Sequence, residues 1–127
     1  MKPKALIIDD NKGDIALVEE YFNEEGLAYE ILTAESGEQG LTIAWMQKPE
    51  VIFLDINMPG LDGFDVCRQL KSSGAEKVHI IIMTGDTNPE AEKAIKKLGA
   101  DDFCIKTPGA LYEKLMRYYH IDRKAKK

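Results

Sequence analysis

The sequence predicts an α/β fold, a single domain in which a parallel sheet is covered by helices on both faces. Short β-branched apolar runs recur at Ala5-Leu6-Ile7-Ile8, Val51-Ile52-Phe53-Leu54 and Ile80-Ile81-Ile82-Met83. Each is halted by a polar residue, as expected of strands buried on both faces. Segments of helical length and composition lie between the runs, and strands that alternate with helices over short links form parallel sheets through right-handed crossovers. The 127 residues, 44% hydrophobic and 31% charged, suit one globular domain with a core of its own.

Each element follows from its residues. The first strand, 5–8, ends at Asp9-Asp10. Residues 14–25 set Ile15, Val18 and Phe22 on one face at helical spacing, leave Glu19, Glu20 and Glu24 elsewhere, and stop at Gly26. Residues 29–33 alternate enough to sit at a sheet edge. The next helix, 36–47, opens on Ser36-Gly37-Glu38-Gln39, a capping-box pattern, and Pro49 follows its end. After the third strand, 51–54, residues 62–73 carry Phe64, Val66, Cys67 and Leu70 on a helix bounded by Gly74. The fourth strand, 80–83, precedes Asn88 and Pro89, a cap and first-turn proline for a helix that runs to Leu98 and stops at Gly99. A fifth strand, 102–105, encloses Phe103, Cys104 and Ile105. Thr107 and Pro108 repeat the cap-and-proline signature before a last helix through Leu111, Leu115 and Tyr118, giving (βα)5.

Composition removes several function classes. Seventeen Lys and Arg against twenty-two Asp and Glu give a formal charge of −5, which argues against direct nucleic-acid binding. No apolar stretch approaches the ~20 residues of a membrane span and no signal peptide opens the chain, so the expected location is cytoplasmic, without membrane insertion. Cys67 and Cys104 lie in apolar segments without metal-ligand or redox spacing and read as buried free thiols. Residues 1–121 are expected to form the domain, and 122–127 a basic tail or the start of a linker.

The chemistry gathers at the strand ends, where ligands of parallel sheets bind. The first strand delivers Asp9 and Asp10, the third Asp55, the fourth Thr84 and the fifth Lys106. Turn propensity explains any one polar residue at such a place. It does not explain three carboxylates at neighbouring ends, because like charges held together destabilise a fold unless a cation neutralises them. All-oxygen ligation by few carboxylates suits Mg²⁺, and His79 and His120 lie away from these ends. Three carboxylates, a divalent cation and Lys106 then balance, so a phosphoryl group meets a nearly neutral site. Lys106 and the Thr84 hydroxyl can hold phosphoryl oxygens, leaving Asp55 as the nucleophile that forms an aspartyl phosphate.

This constellation resembles the receiver domain of bacterial two-component response regulators, the CheY-like family. The carrying motifs are Leu6-Ile7-Ile8-Asp9-Asp10-Asn11, Phe53-Leu54-Asp55-Ile56-Asn57-Met58-Pro59-Gly60-Leu61-Asp62-Gly63, Ile82-Met83-Thr84-Gly85 and Gly99-Ala100-Asp101-Asp102-Phe103-Cys104-Ile105-Lys106. The resemblance implies a doubly wound, flavodoxin-like five-stranded sheet in the order 2-1-3-4-5. It implies Asp55 as phosphoacceptor, and Asp9, Asp10, Asp55 and the Asn57 backbone carbonyl as Mg²⁺ ligands. Lys106 would clamp the phosphoryl group, and a switch would turn Thr84 toward it while Phe103 moves inward. The donor would be a histidine kinase or histidine phosphotransfer protein. The output would be a downstream protein target or output domain, with a homodimer possible through helix four, strand five and helix five, a face that Tyr112, Arg117, Tyr118 and Tyr119 would enrich. Such a chain is a signalling phosphoacceptor, at most catalysing its own phosphotransfer and dephosphorylation, and Asn57 and Asp86 lie where they would influence the hydrolytic water. It is either a stand-alone receiver or one excised from a longer regulator.

One departure and two rivals complete the reading. Receivers usually carry proline directly after the lysine across a cis bond, whereas Thr107 follows Lys106 here. A Mg²⁺-dependent aspartyl-phosphate phosphatase of the haloacid dehalogenase type places its nucleophile after the first strand, with a second Asp two residues on. Asp55 follows the third strand and is followed by Asn57. A non-phosphorylated interaction module of receiver shape is opposed by the retention of Asp9, Asp10, Asp55, Thr84 and Lys106.

Overall fold

The structure is a computed structural model that describes residues 2–24, 26–73, 78–85 and 89–107. Five strands, β1 (Lys4–Ile8), β2 (Glu30–Ala34), β3 (Val51–Asp55), β4 (His79–Thr84) and β5 (Asp102–Ile105), alternate with helices α1 (Lys12–Glu24), α2 (Gly37–Gln47), α3 (Gly63–Ser72) and α4 (Pro89–Lys97). All pairings are parallel, and the strand order is β2-β1-β3-β4-β5, as the resemblance implied. The fifth helix expected after Thr107, the Asn88 cap, the Gly74 stop, Asp86, His120, the aromatic residues from Tyr112 to Tyr119 and the basic tail lie outside the described residues.

Strand alternation sorts the core into two halves. Leu6, Ile8, Ile52, Leu54, Ile80 and Ile82 face one way and pack with Leu41, Ala44, Val66, Cys67, Leu70 and Ile95 of the helices α2, α3 and α4. Ala5, Ile7, Val51, Phe53, Ile81 and Met83 face the other way against Ile15, Val18, Tyr21 and Phe22 of α1. The Phe22 ring meets Phe53 edge-on at 5.8 Å and Tyr29 at 5.5 Å. Each fully buried aliphatic side chain contributes roughly 1.5–3 kcal/mol, so the central strands hold the strand ends in fixed register. Cys67 and Cys104 are buried free thiols, as expected.

Helix boundaries move by at most two residues from their expected places. The first helix starts at Lys12 instead of Asp14, because Asn11 caps it: Asn11 Oδ1 accepts from the Asp14 amide at 3.1 Å and its carbonyl from Ile15 at 3.2 Å. Its end is a Schellman turn, with Gly26 at φ +63° and the Leu27 amide donating to the Phe22 carbonyl at 3.1 Å. At α2 the capping box is displaced by one residue. Ser36 Oγ accepts from the Gln39 amide at 3.2 Å, but Gln39 Oε1 returns to the amide of Glu35 at 3.0 Å, not to that of Ser36. Asp62 and Ser73, expected as helical, are the caps of α3, and Leu98 follows the last helical residue of α4.

Candidate functional site

Parallel register carries the chemistry-bearing side chains to one end of the sheet. Asp9 follows β1, with its amide bonded to the Ala34 carbonyl at 3.0 Å; Asp55 is the last residue of β3 and Thr84 the last of β4. Lys106 follows β5, its amide donating to the Thr84 carbonyl at 2.8 Å. Among the described residues, Asp9 (0% exposed), Asp55 (2%) and Thr84 (1%) are the polar side chains that are buried. A fold that buries carboxylates only here has concentrated its unfavourable electrostatics at one place, which is the mark of a functional site.

The geometry is tight. One oxygen each from Asp9, Asp10 and Asp55 lies within 4.8 Å of the others, with Asp10 exposed and the other two buried. Backbone amides fix both buried carboxylates: Asn11 donates to Asp9 Oδ1 at 2.9 Å, and Asn57 to Asp55 Oδ1 at 3.1 Å. Lys106 Nζ stands 2.9 Å from Asp9 Oδ2, 3.2 Å from Asp55 Oδ1 and 2.8 Å from Asp14 Oδ2. The aim of Lys106 thus survives without the following proline, and no peptide bond among the described residues is cis.

These contacts shift the titrations in opposite directions. Burial pushes the Asp55 carboxyl up to about 6; the Asn57 amide opposes this, the Asp9 charge adds to it, and Lys106 opposes it. Burial pulls the Lys106 ammonium down, but the hydrogen bond to Asp14 and the close negative charges of Asp9 and Asp55 outweigh it, leaving a net rise. The site therefore holds a permanent cation beside a carboxyl reluctant to ionise.

The donor set fits Mg²⁺. Asp9 Oδ2 is wholly buried, and although it pairs in charge with Lys106, no donor reaches it with the direction a hydrogen bond needs. It keeps lone pairs free toward the cluster, and the surrounding donors are all carboxylate oxygens. Phe103 is partly buried on the α2–α3 face of the sheet, paired in register with Ile82, and so shares a face with Thr84.

One participant escaped the sequence reading. Asp14, expected at the start of a helix, is the third residue of α1, and its carboxylate accepts a hydrogen bond from Lys106 Nζ. An acidic residue in a first helical turn is ordinarily explained by the helix dipole. The Asn11 cap starts the helix early enough to put Asp14 in its first turn, and the 2.8 Å contact with Lys106 is what shows that Asp14 belongs to the site. With a fourth carboxylate the set carries one more negative charge than the expected balance.

Residues 5–115 match the family model described as the response regulator receiver domain. The chain is 36% identical over 107 residues to the alkaline phosphatase synthesis transcriptional regulatory protein PhoP of Bacillus subtilis, covering 84% of this chain and 43% of that protein. It is 36% identical over 100 residues to sporulation initiation phosphotransferase F of the same organism, covering 79% of this chain and 78% of that one. The chemotaxis response regulator CheY4 of Vibrio cholerae superposes with a TM-score of 0.81 at 28% identity, covering 92% of this chain and 98% of that chain. The receiver domain of the Francisella response regulator 1452 gives 0.81 at 26%, covering 99% and 100%. The chain spans less than half the length of the PhoP relative.

Proposed function

The chain belongs to the response regulator receiver-domain family, and from that premise we propose that Asp55 is its phosphoacceptor. The observation that carries this is the burial of Asp55 at a strand end between a backbone amide, a lysine and a carboxylate cluster. An Asp55 oxygen attacks phosphorus of a phosphohistidine on a histidine kinase or phosphotransfer protein. The new P–O bond forms as the P–N bond breaks, and the imidazole leaves with the bonding pair and takes up a proton. Mg²⁺, held by Asp9, Asp10, Asp55 and the Asn57 carbonyl, would neutralise charge and draw phosphoryl oxygens into the cluster. Lys106 holds one phosphoryl oxygen through its ammonium and Thr84 another through its hydroxyl. Water attacking the acyl phosphate in the same site returns Asp55 to its carboxylate, so the chain acts on its own phosphoryl group and turns over no free metabolite.

The modification replaces a carboxylate by a group of about −2 charge with strong acceptor oxygens, enough to bias a two-state loop. Thr84 turning toward the phosphoryl group leaves space into which Phe103 moves inward, and the sheet face that the two share supports this coupling. The output surface of this reading includes α4 and β5, docking a downstream target, an output domain or a second copy. The receiver unit is taken as 1–121, with 122–127 as a basic tail. No helix among the described residues is long and apolar enough to cross a membrane, and the reading places the protein in the cytoplasm. The test is incubation with acetyl phosphate and Mg²⁺ followed by intact-mass measurement. Wild type gains one phosphoryl group and Asp55→Asn gains none; equal labelling of both removes Asp55 as acceptor.

A further inference from the structure

Lys106 follows β5, an edge strand whose backbone is guided by β4 alone, and four flexible methylenes separate its ammonium from that backbone. Three carboxylates surround the ammonium, and they are not equivalent. Asp9 and Asp55 also belong, with Asp10, to the oxygen cluster suited to a cation. Asp14 stands outside that cluster, makes the shortest contact, 2.8 Å, and forms a directed hydrogen bond to Nζ. The contact with Asp9 Oδ2 lacks hydrogen-bond direction, and that with Asp55 Oδ1 is longer at 3.2 Å.

A divalent cation competes with the ammonium for Asp9 and Asp55 and leaves Asp14 undivided. Asp14 is also rigidly mounted. Its amide is bonded to the Asn11 cap, and its neighbour Ile15 is buried with Val18 and Phe22 against the sheet. The Lys106 side chain is 17% exposed and that of Asp14 32%, so solvent screens this pair less than a surface ion pair. Resting on the reading of Asp55 as phosphoacceptor, we propose that Asp14 is a positioning residue: it holds the Lys106 ammonium beside Asp55, where an incoming phosphoryl oxygen is received, while the metal occupies the other two carboxylates.

The test is a double-mutant cycle of wild type, Asp14→Asn, Lys106→Ala and the double variant, labelled by acetyl phosphate at saturating Mg²⁺. Asp14→Asn slows initial labelling roughly three- to tenfold when Lys106 is present and less than about twofold in the Lys106→Ala background. Equal slowing in both backgrounds, no slowing or acceleration overturns the proposal, since an effect that ignores Lys106 is not exerted through it. A wild type that takes no label contradicts the phosphoacceptor reading itself, whereas a labelled wild type with independent variants contradicts only the role of Asp14. A second readout needs no turnover. The Lys106 Cε resonance of the Mg²⁺-loaded protein, assigned by its loss in Lys106→Ala, shifts in Asp14→Asn, and an unmoved resonance overturns the proposal. If Asp14→Asn does not fold, Asp14→Glu, which keeps the charge but displaces it, is expected to show the same dependence on Lys106 in both measurements, and independence from Lys106 counts against the proposal.

Discussion

Burial gives the Asp55 carboxyl its chemistry and makes it a liability to the metal-free fold. Its folded-state pKa, raised from 3.8 to about 6, means that the folded protein binds this proton more tightly than the unfolded chain. The favourable contribution is complete below about 4 and is lost as pH rises through about 6. In the absence of metal, stability from this group therefore falls over that window and levels off above it. Asp55→Asn is expected to remove the slope and to stabilise the metal-free protein near pH 7.5 by about 1–3 kcal/mol, several degrees in melting temperature. Thermal melts across pH with a chelator present check this, and an unchanged or lower melting temperature for Asp55→Asn contradicts the strained-carboxyl account. At this scale the sequence was most legible where strands end: Asp9, Asp55, Thr84 and Lys106 all stand where the apolar runs stop. Asp14 was not legible, because a helix-start acid has a sufficient local explanation and only the three-dimensional path of Lys106 gives it another.

Among the elements, the β3–α3 connection fixes Asp55 most directly. Ile56 donates to Met83 and accepts from the Gly63 amide, so the loop carrying Asn57 folds back onto the strand it leaves. A Cβ at Gly63 would lie 2.5 Å from the Asp55 carbonyl oxygen and 2.6 Å from Ile56 Cα, both backbone atoms without freedom to yield. Gly63→Ala is expected to cost roughly 3 kcal/mol or more by overpacking. A Cβ at Gly85 meets nothing within 4 Å, and Gly85→Ala should stay within about 0.5 kcal/mol. Urea unfolding of the pair checks this, and equal midpoints contradict the close approach of α3 to the acceptor strand. Strands and helices were identifiable because burial on both faces makes apolar runs and a buried helical stripe makes 3.6-residue spacing. Their edges were less so, since caps are contests between neighbours: Asn11 caps α1 and starts it two residues before Asp14, where the helix was expected to begin, and Gln39 bonds the amide of Glu35 instead of that of Ser36.

Across the whole molecule, two core halves clamp a sheet whose functional side chains gather where the strands end. The alternation of elements predicted a parallel sheet, but the order 2-1-3-4-5 came from family resemblance, because periodicity says which residues are buried and not which strands are neighbours. The proposed switch belongs to this scale, since it would join Thr84 at the site to Phe103 on the same sheet face. Thr84→Ala should leave labelling within about threefold of wild type while abolishing the amide shift changes around Phe103 that beryllofluoride and Mg²⁺ induce. Full retention of those changes in the variant contradicts the coupling. The central claim, that one carboxylate of the cluster is reversibly converted to an acyl phosphate, is tested most directly by borohydride reduction of the labelled protein and peptide mapping. The account predicts homoserine at position 55 and nowhere else; homoserine at Asp9, Asp10 or Asp14, or phosphate recovered on a hydroxyl or histidine side chain, would contradict it.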